Sequence, residues 1–189
     1  MLLFFDTETT GLADFNMPPG HESQPHLVQL AALLTEDDGT ERASVNLIIK
    51  PTVPIPKQAS DVHGITDEVA AAAGVHPGAG FGVLNAMAKC ADLLVAHNIT
   101  FDLIVMQALG YRLNRVEDAE KLGNIFNFCT MKTATPIVQI PSPYRAGEYK
   151  WPRLEECMRH FFKEDLEGAH DALVDVRACK RIYFELKGT

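Results

Sequence analysis

No apolar run in this 189-residue chain approaches the roughly 18 residues that a membrane-spanning helix needs, and Asp6 interrupts the opening MLLFF before a signal-peptide core forms. Export and membrane insertion are not expected, and a cytoplasmic location is. Cysteine is sparse: Cys90, Cys129, Cys157 and Cys179 are widely spaced and form no CxxC pair. That spacing argues against a zinc knuckle or redox centre and for reduced, partly buried thiols. No internal repeat or low-complexity tract is present. Positive charge is also short, with 17 Lys and Arg against 25 Asp and Glu, a formal charge of −8. A long basic surface that wraps duplex nucleic acid is thereby disfavoured.

The acidity is local. Residues 1–50 carry 2 Lys and Arg against 8 Asp and Glu, whereas residues 51–150 carry 8 against 9 and residues 151–189 carry 7 against 8. Divalent cations bound near the N-terminal acids would cancel part of this charge. The remaining composition, 47% hydrophobic and 22% charged, is that of an ordinary globular protein, and a single domain over 1–189 is the simplest expectation.

LLFFDTE reads as a buried strand, followed by a Pro- and Gly-rich loop through residue 25. HLVQLAALLTE and RASVNLIIK, joined by the turn at Asp37–Gly39, read as a hairpin, so the chain opens as a three-strand antiparallel meander. Thr66 before Asp67 and Glu68 caps a helix, and Gly78 and Gly80 are read as separating it from another around FGVLNAMAKC. ADLLVAHN is a further strand, leading to a helix that begins near Thr100 and stops at Gly110. A short strand to Phe128, a helix capped by Thr130, an amphipathic helix in RLEECMRHFF and a final helix through HDALVDVRACKRIYFEL complete the reading. In the last, Ala172, Val176, Cys179, Ile182 and Phe184 form the apolar stripe. This order implies an α/β fold with a mixed sheet of about five strands, three antiparallel and then parallel, and helices packed on it.

Asp6 and Glu8, two apart on the first strand, leave the same face near its C-terminal end. Close carboxylates on an apolar strand repel, and a hard cation is the usual way to hold them ionised; solvated acids in a turn are the alternative. Asp102 falls in the first turn of a helix after a strand that would lie beside the first, a place the helix dipole also favours without any function. His170 and Asp175 are five apart, about 140° on an ideal helix, so they meet at one site only if His170 enters from the first turn or the preceding loop. Asn98 either contacts a ligand or closes the turn before its helix.

FDTETTG at 5–11, HNITFD at 97–102 and HDALVD at 170–175 resemble the three motifs of the DEDDh family, the histidine branch of the DnaQ-like 3′→5′ exonucleases. VHGIT at 62–66 and CTMKTA at 129–134 resemble further segments of that family, in family order. The resemblance implies a ribonuclease H-like fold. It implies Asp6, Glu8, Asp102 and Asp175 as ligands of two Mg²⁺ ions, with Mn²⁺ able to substitute, and His170 as general base. An imidazole, with an ordinary pKa of about 6.5, suits that work near neutral pH. Thr7, Thr9, Thr10, His63, Gly64, Ile65, Asn98 and Phe101 would lie beside the terminal nucleotide.

The activity so implied is hydrolysis of single-stranded or frayed DNA 3′ ends to nucleoside 5′-monophosphates. RNA 3′-end trimming and a polymerase-associated proofreading or non-catalytic docking module are the alternatives; all five chemical residues being present counts against the last. Lys132, Arg145, Lys150 and Arg153 cluster with Tyr144, Tyr149 and Trp151, a mixture that suits a single strand or else an ordinary loop anchored by Trp151. Replication or repair proteins are candidate partners. No long tail follows FELKGT, so a free-standing catalytic domain is expected, and the last helix leaves monomer and homodimer both open.

Overall fold

The computed structural model describes residues 1–188. Strands β1 (Leu2–Thr9), β2 (Leu27–Thr35), β3 (Glu41–Ile48), β4 (Leu93–Ala96) and β5 (Asn127–Cys129) form one sheet in the order β3-β2-β1-β4-β5. The pairs β1–β2 and β2–β3 are antiparallel, whereas β1–β4 and β4–β5 are parallel. The expected mixed five-stranded sheet is therefore present.

Helices cover both faces, which is why β2 is buried along its whole length instead of alternating with solvent. On β1, Leu3 and Phe5 join the larger core cluster with residues of α3 (Pro77–Ala88), α4 (Ile99–Arg112) and α5 (Val116–Gly123). Leu2 and Phe4 face the other way, against Ala172, Val176, Cys179 and Tyr183 of α8 (Ala172–Lys187). The ring of Phe4 meets Tyr183 edge-on at 5.4 Å. Burying side chains such as Phe4, Phe5 and Phe81 stabilises the fold by roughly 1.5–3 kcal/mol each. The remaining helices are α1 (Lys57–His63), α2 (Asp67–Ala73), α6 (Thr130–Val138) and α7 (Leu154–Phe162).

Several local expectations are corrected. Gly78 and Gly80 lie inside α3, because His76 accepts from the Gly78 N–H at 3.0 Å and Pro77 starts the helix earlier. Gly110 does not stop α4: a Cβ there would lie 2.7 Å from the Ala119 Cβ and 2.8 Å from the Phe81 ring, so the glycine marks a close helix contact. Thr130 is the first residue of α6, not its cap; Cys129 holds the cap position and the Thr130 hydroxyl turns to His97 instead. In α8, Tyr183 takes the buried place expected of Phe184, which packs against that cluster while partly exposed. Helices α1 and α5 were not anticipated, both being short and polar on much of their surface. Among the described residues no helix is long and apolar enough to cross a membrane.

The tight contact at Gly110 makes a direct test of the packing between α4, α3 and α5. Gly110→Val should destabilise the protein by about 1–3 kcal/mol through overpacking, seen as a lowered thermal midpoint. A midpoint unchanged from the parent chain would contradict this packing.

Candidate active site

The two-residue repeat of β1 continues past its apolar half, so Asp6 and Glu8 fall on the same face as Phe4, the face covered by α8. Thr7 falls on the opposite face, towards α4, and its hydroxyl donates to Asp102 Oδ1 at 2.8 Å. Pairing between β1 and β4 is recorded only as far as Phe4 and Val95, while β1 runs on to Thr9. β4 ends at Ala96, and the turn at His97–Asn98 that follows lines the same cavity as the two acids. A single cavity of about 230 Å³ is lined by Asp6, Glu8, Asn98, Phe101, Asp102, Leu154, His170 and Asp175, with Thr7 and His97 completing it.

Each supporting element has a local reason for its place. Asn98 adopts a left-handed backbone (φ 76°) ahead of α4, a conformation asparagine tolerates, and its side chain makes no capping bond. Asp102 is buried in the first turn of α4 and Asp175 in that of α8, where the N-terminal ends of the helix dipoles favour negative charge. His170 stands outside α8, whose cap is Asp171. Its backbone is left-handed (φ 70°), and its N–H donates to Asp175 Oδ2 at 3.1 Å. This turn overcomes the five-residue separation of His170 and Asp175. Ligand atoms of Glu8, His170 and Asp175 lie within 4.8 Å of one another.

Buried Gln29, opposite Glu8 on β2, accepts from the Ala172 N–H at 3.2 Å and donates to Asn46 Oδ1 at 3.0 Å. It thereby ties the first turn of α8 to the sheet. Sequence reasoning missed it; its one signal was a polar residue inside the apolar run HLVQLAALL. His97 was likewise read only as a turn residue. Its Nε2–H donates to the Pro152 carbonyl at 3.0 Å, which leaves Nδ1 to accept from the Thr130 hydroxyl at 2.9 Å. Burial holds this imidazole neutral, with its pKa lowered to about 4.

A second, larger cavity of about 400 Å³ adjoins the first and shares Thr7, Glu8 and Phe101 with it. Thr9, Thr10, Gly11, Leu12, Val62 and His63 are among its other walls, and Leu12 and Val62 are exposed apolar side chains. The threonine hydroxyls serve the fold: Thr9 donates to the Gly11 carbonyl at 2.6 Å, and Thr10 accepts from the His26 N–H at 2.9 Å. His63 Nδ1 accepts from the Ile65 N–H at 3.1 Å, and burial lowers its pKa. Gly64 and Ile65 line neither cavity. Gly64 ends α1 in a left-handed turn, and Ile65 is buried with Val28, Ile55 and Ala70.

Burial, reinforced by neighbouring carboxylates, pushes Asp6 well above the usual carboxylate range and Glu8 up to about 8. Burial likewise raises Asp102 to about 7 and Asp175 to about 6. Asp175 Oδ1 is buried without a hydrogen-bond partner, although Oδ2 has one. An oxygen-rich cluster that resists ionisation and keeps an orphaned carboxylate oxygen fits a hard divalent cation.

Sheet order and covering helices are those of a ribonuclease H-like fold, with a carboxylate-lined cleft at the strand ends. A model of the RNase_T family, described as exonuclease, matches residues 3–183. The chain belongs to this family, of the DnaQ-like 3′→5′ exonuclease type, and membership implies dependence on a divalent metal. It is similar to an uncharacterized exonuclease, CP81, of Escherichia phage 186, 29% identical over 179 residues that make up 93% of this chain and 82% of that protein. Among solved structures it resembles E. coli exonuclease I in complex with a dT13 oligonucleotide, with a TM-score of 0.77, 20% identity and 98% of this chain covered. The same enzyme with dA16 gives 0.76, 21% and 99%, and its zinc-bound complex with single-stranded DNA gives 0.74, 20% and 98%. At this identity the likeness is one of fold. This chain spans about two fifths of those exonuclease I chains, covering 40%, 40% and 39% of them.

The raised carboxyl pKa values have a signed consequence for stability. Between about pH 4 and 8 the metal-free folded state keeps protons that the unfolded chain has released, so its stability falls as pH rises through this window. Glu8→Gln should therefore raise the thermal midpoint of EDTA-treated protein at pH 8 and change it little at pH 4.5, by roughly 2–4 °C for each kcal/mol of relieved repulsion. Calorimetry at the two pH values checks this; a lowered midpoint at pH 8 would contradict it.

Proposed function

We propose that the protein is a DEDDh-type exonuclease that hydrolyses single-stranded or frayed DNA from the 3′ end and releases nucleoside 5′-monophosphates. The observation that carries this reading is the convergence of Asp6, Glu8, Asp102, Asp175 and His170 on one cavity, with a partly apolar cavity of nucleotide size alongside. Asp6, Glu8, Asp102 and Asp175 would hold two divalent cations, Mg²⁺ or Mn²⁺. When bound, such ions activate water and offset charge on the attacking and departing oxygens.

The residues of the chain supply the remaining parts. His170 is exposed and held only through its backbone, so its imidazole is free to take a proton from the attacking water on a ring nitrogen. Water attacks phosphorus, the bond to the 3′-oxygen of the preceding nucleotide breaks, and the terminal residue leaves as a 5′-monophosphate. Thr7 fixes Asp102 from the neighbouring strand and Asp175 holds the backbone of His170, so the acids are positioned before substrate arrives, with the imidazole at their side and free to turn. Phe101 and Leu12 offer apolar surface for the terminal nucleoside in the adjoining cavity. The oligonucleotides held by the similar exonuclease I structures, dT13 and dA16, favour single-stranded DNA over RNA as the substrate.

End-labelled single-stranded DNA and matched RNA, each incubated with Mg²⁺ and with EDTA, test this reading. Stepwise shortening from the 3′ end should occur with Mg²⁺ and disappear with EDTA. His170→Ala should lower turnover about 10²–10⁴-fold while leaving metal affinity largely intact. Asp6→Ala should lose both. Undiminished activity in Asp6→Ala would sink the mechanism, and a rate on RNA equal to or above that on DNA would overturn the choice of polymer.

A further inference from the structure

The segment between α6 and α7 is a short hairpin. The Ser142 N–H donates to the Glu148 carbonyl and the Lys150 N–H to the Ile140 carbonyl, both at 2.9 Å, around a turn in which Gly147 is left-handed (φ 82°). Its C-terminal root is fixed to the site. Pro152 accepts from His97, which lines the site cavity, and Leu154, two residues on, lines it as well. Lys150 is also fixed there, by Glu156 at 2.6 Å.

What this rooted hairpin presents to solvent is aromatic. Tyr144 is 93% exposed, Trp151 62% and Tyr149 45%, and none of them joins a core cluster among the described residues. Trp151 therefore does not anchor the loop to the core. The charge of this region is opposite to that of the chain. Residues 132–156 carry four cations, Lys132, Arg145, Lys150 and Arg153, against three acids, Glu148, Glu155 and Glu156, in a protein of net charge −8; Lys150 and Arg153 pair with Glu156 and Glu155, whereas the Arg145–Glu148 pair, at 3.3 Å and largely exposed, is weak enough to open to a phosphate. Lys132 stands at the rim of the site, its Nζ donating to the Thr100 hydroxyl at 3.4 Å in the first turn of α4, next to Phe101 and Asp102.

Exposed rings interleaved with cations are the two components of a surface that binds unpaired strands: bases stack on the rings, whatever their identity, and phosphates meet the cations. We propose that this hairpin is a stacking platform for the single strand leading into the site, with Tyr144, Tyr149 and Trp151 receiving bases on the 5′ side of the scissile bond and Lys132 and Arg145 meeting its phosphates. The inference rests on the exonuclease reading above. Its local positive charge, in an otherwise acidic chain and beside a phosphodiester site, favours a polyanion over a protein as the occupant.

Trp151 is the single tryptophan of the chain, so intrinsic fluorescence reports on the hairpin alone. In EDTA, a twelve-nucleotide oligo(dT) should quench it, and a thymidine dinucleotide at the same concentration should not. With Mg²⁺, Trp151→Ala and Tyr144→Ala should each raise KM for the long oligonucleotide roughly 5- to 100-fold, the scale of one lost base stack, with kcat within about twofold. Hydrolysis of the 4-nitrophenyl ester of thymidine 5′-monophosphate, which cannot reach the hairpin, should be unchanged. Trp151→Phe should restore most of the KM. Unaltered KM for the long strand, or an equal loss on the small ester, would overturn the platform while the wild-type activity still stands. If the wild type hydrolyses neither substrate, the exonuclease reading fails first and the platform with it.

Discussion

The two-residue repeat of β1 is the constraint on which the rest of the site depends. The alternation that seats Leu3 and Phe5 against α3 and α4, and Leu2 and Phe4 against α8, sends Asp6 and Glu8 to the α8 side and Thr7 to the α4 side. One central strand thus reaches both helical layers within three residues. Asp175 has to come from α8 to meet the pair, and Asp102 has to come from α4, where Thr7 is waiting to bind it. A slip of one residue in the register of β1 against β2 would put the acids among the apolar side chains of the other layer, so core packing and site assembly are specified together.

Bringing four carboxylates together is unfavourable, and the surrounding structure is arranged to bear it. Both helix-borne acids sit in first turns, where the dipole and free N–H groups favour charge. Asp175 binds the His170 N–H, Asp102 the Thr7 hydroxyl, and Gln29 holds the start of α8 from β2. These bonds orient the acids without neutralising them, which leaves their mutual repulsion for cations to relieve. The left-handed backbone of His170, costing about 1 kcal/mol in an L-residue, belongs to the same arrangement. It brings the imidazole to the acids from outside the helix and keeps it exposed.

The sheet, its order of pairing and the positions of the three motifs were legible because they rest on apolar period and on turn residues, both local signals. Asp6 and Glu8 could be placed on one face from spacing alone. His170 could not, since helix geometry set it away from Asp175 and only a left-handed turn outside the helix brings them together. Glycine misled where it served packing instead of termination: Gly80 and Gly110 admit Ile49 and Phe81 against a helix backbone, a reason that lies in tertiary structure. The threonines of FDTETT were read as lying beside the terminal nucleotide; they line the larger cavity, and their hydroxyls also bond to Asp102, the Gly11 carbonyl and the His26 N–H. A hydroxyl near a site reads the same in sequence whether it faces a ligand or the protein.

Chemistry and grip are borne by different parts of this chain. The N-terminal quarter, with Asp6 and Glu8 among its eight acids and only two cations, is strongly negative, so attraction for a polyanion cannot come from there. It is displaced to the α6–α7 hairpin, where cations and exposed rings collect. His97 joins the two parts: buried and held neutral, it bonds the hairpin root at Pro152 on one ring nitrogen and α6 at Thr130 on the other, while lining the cavity of the acids. A charged imidazole would turn Nδ1 from acceptor to donor and send the Thr130 hydroxyl proton to the Ala96 carbonyl, 3.4 Å away. Its lowered pKa therefore keeps the neutral arrangement of these bonds across the neutral range.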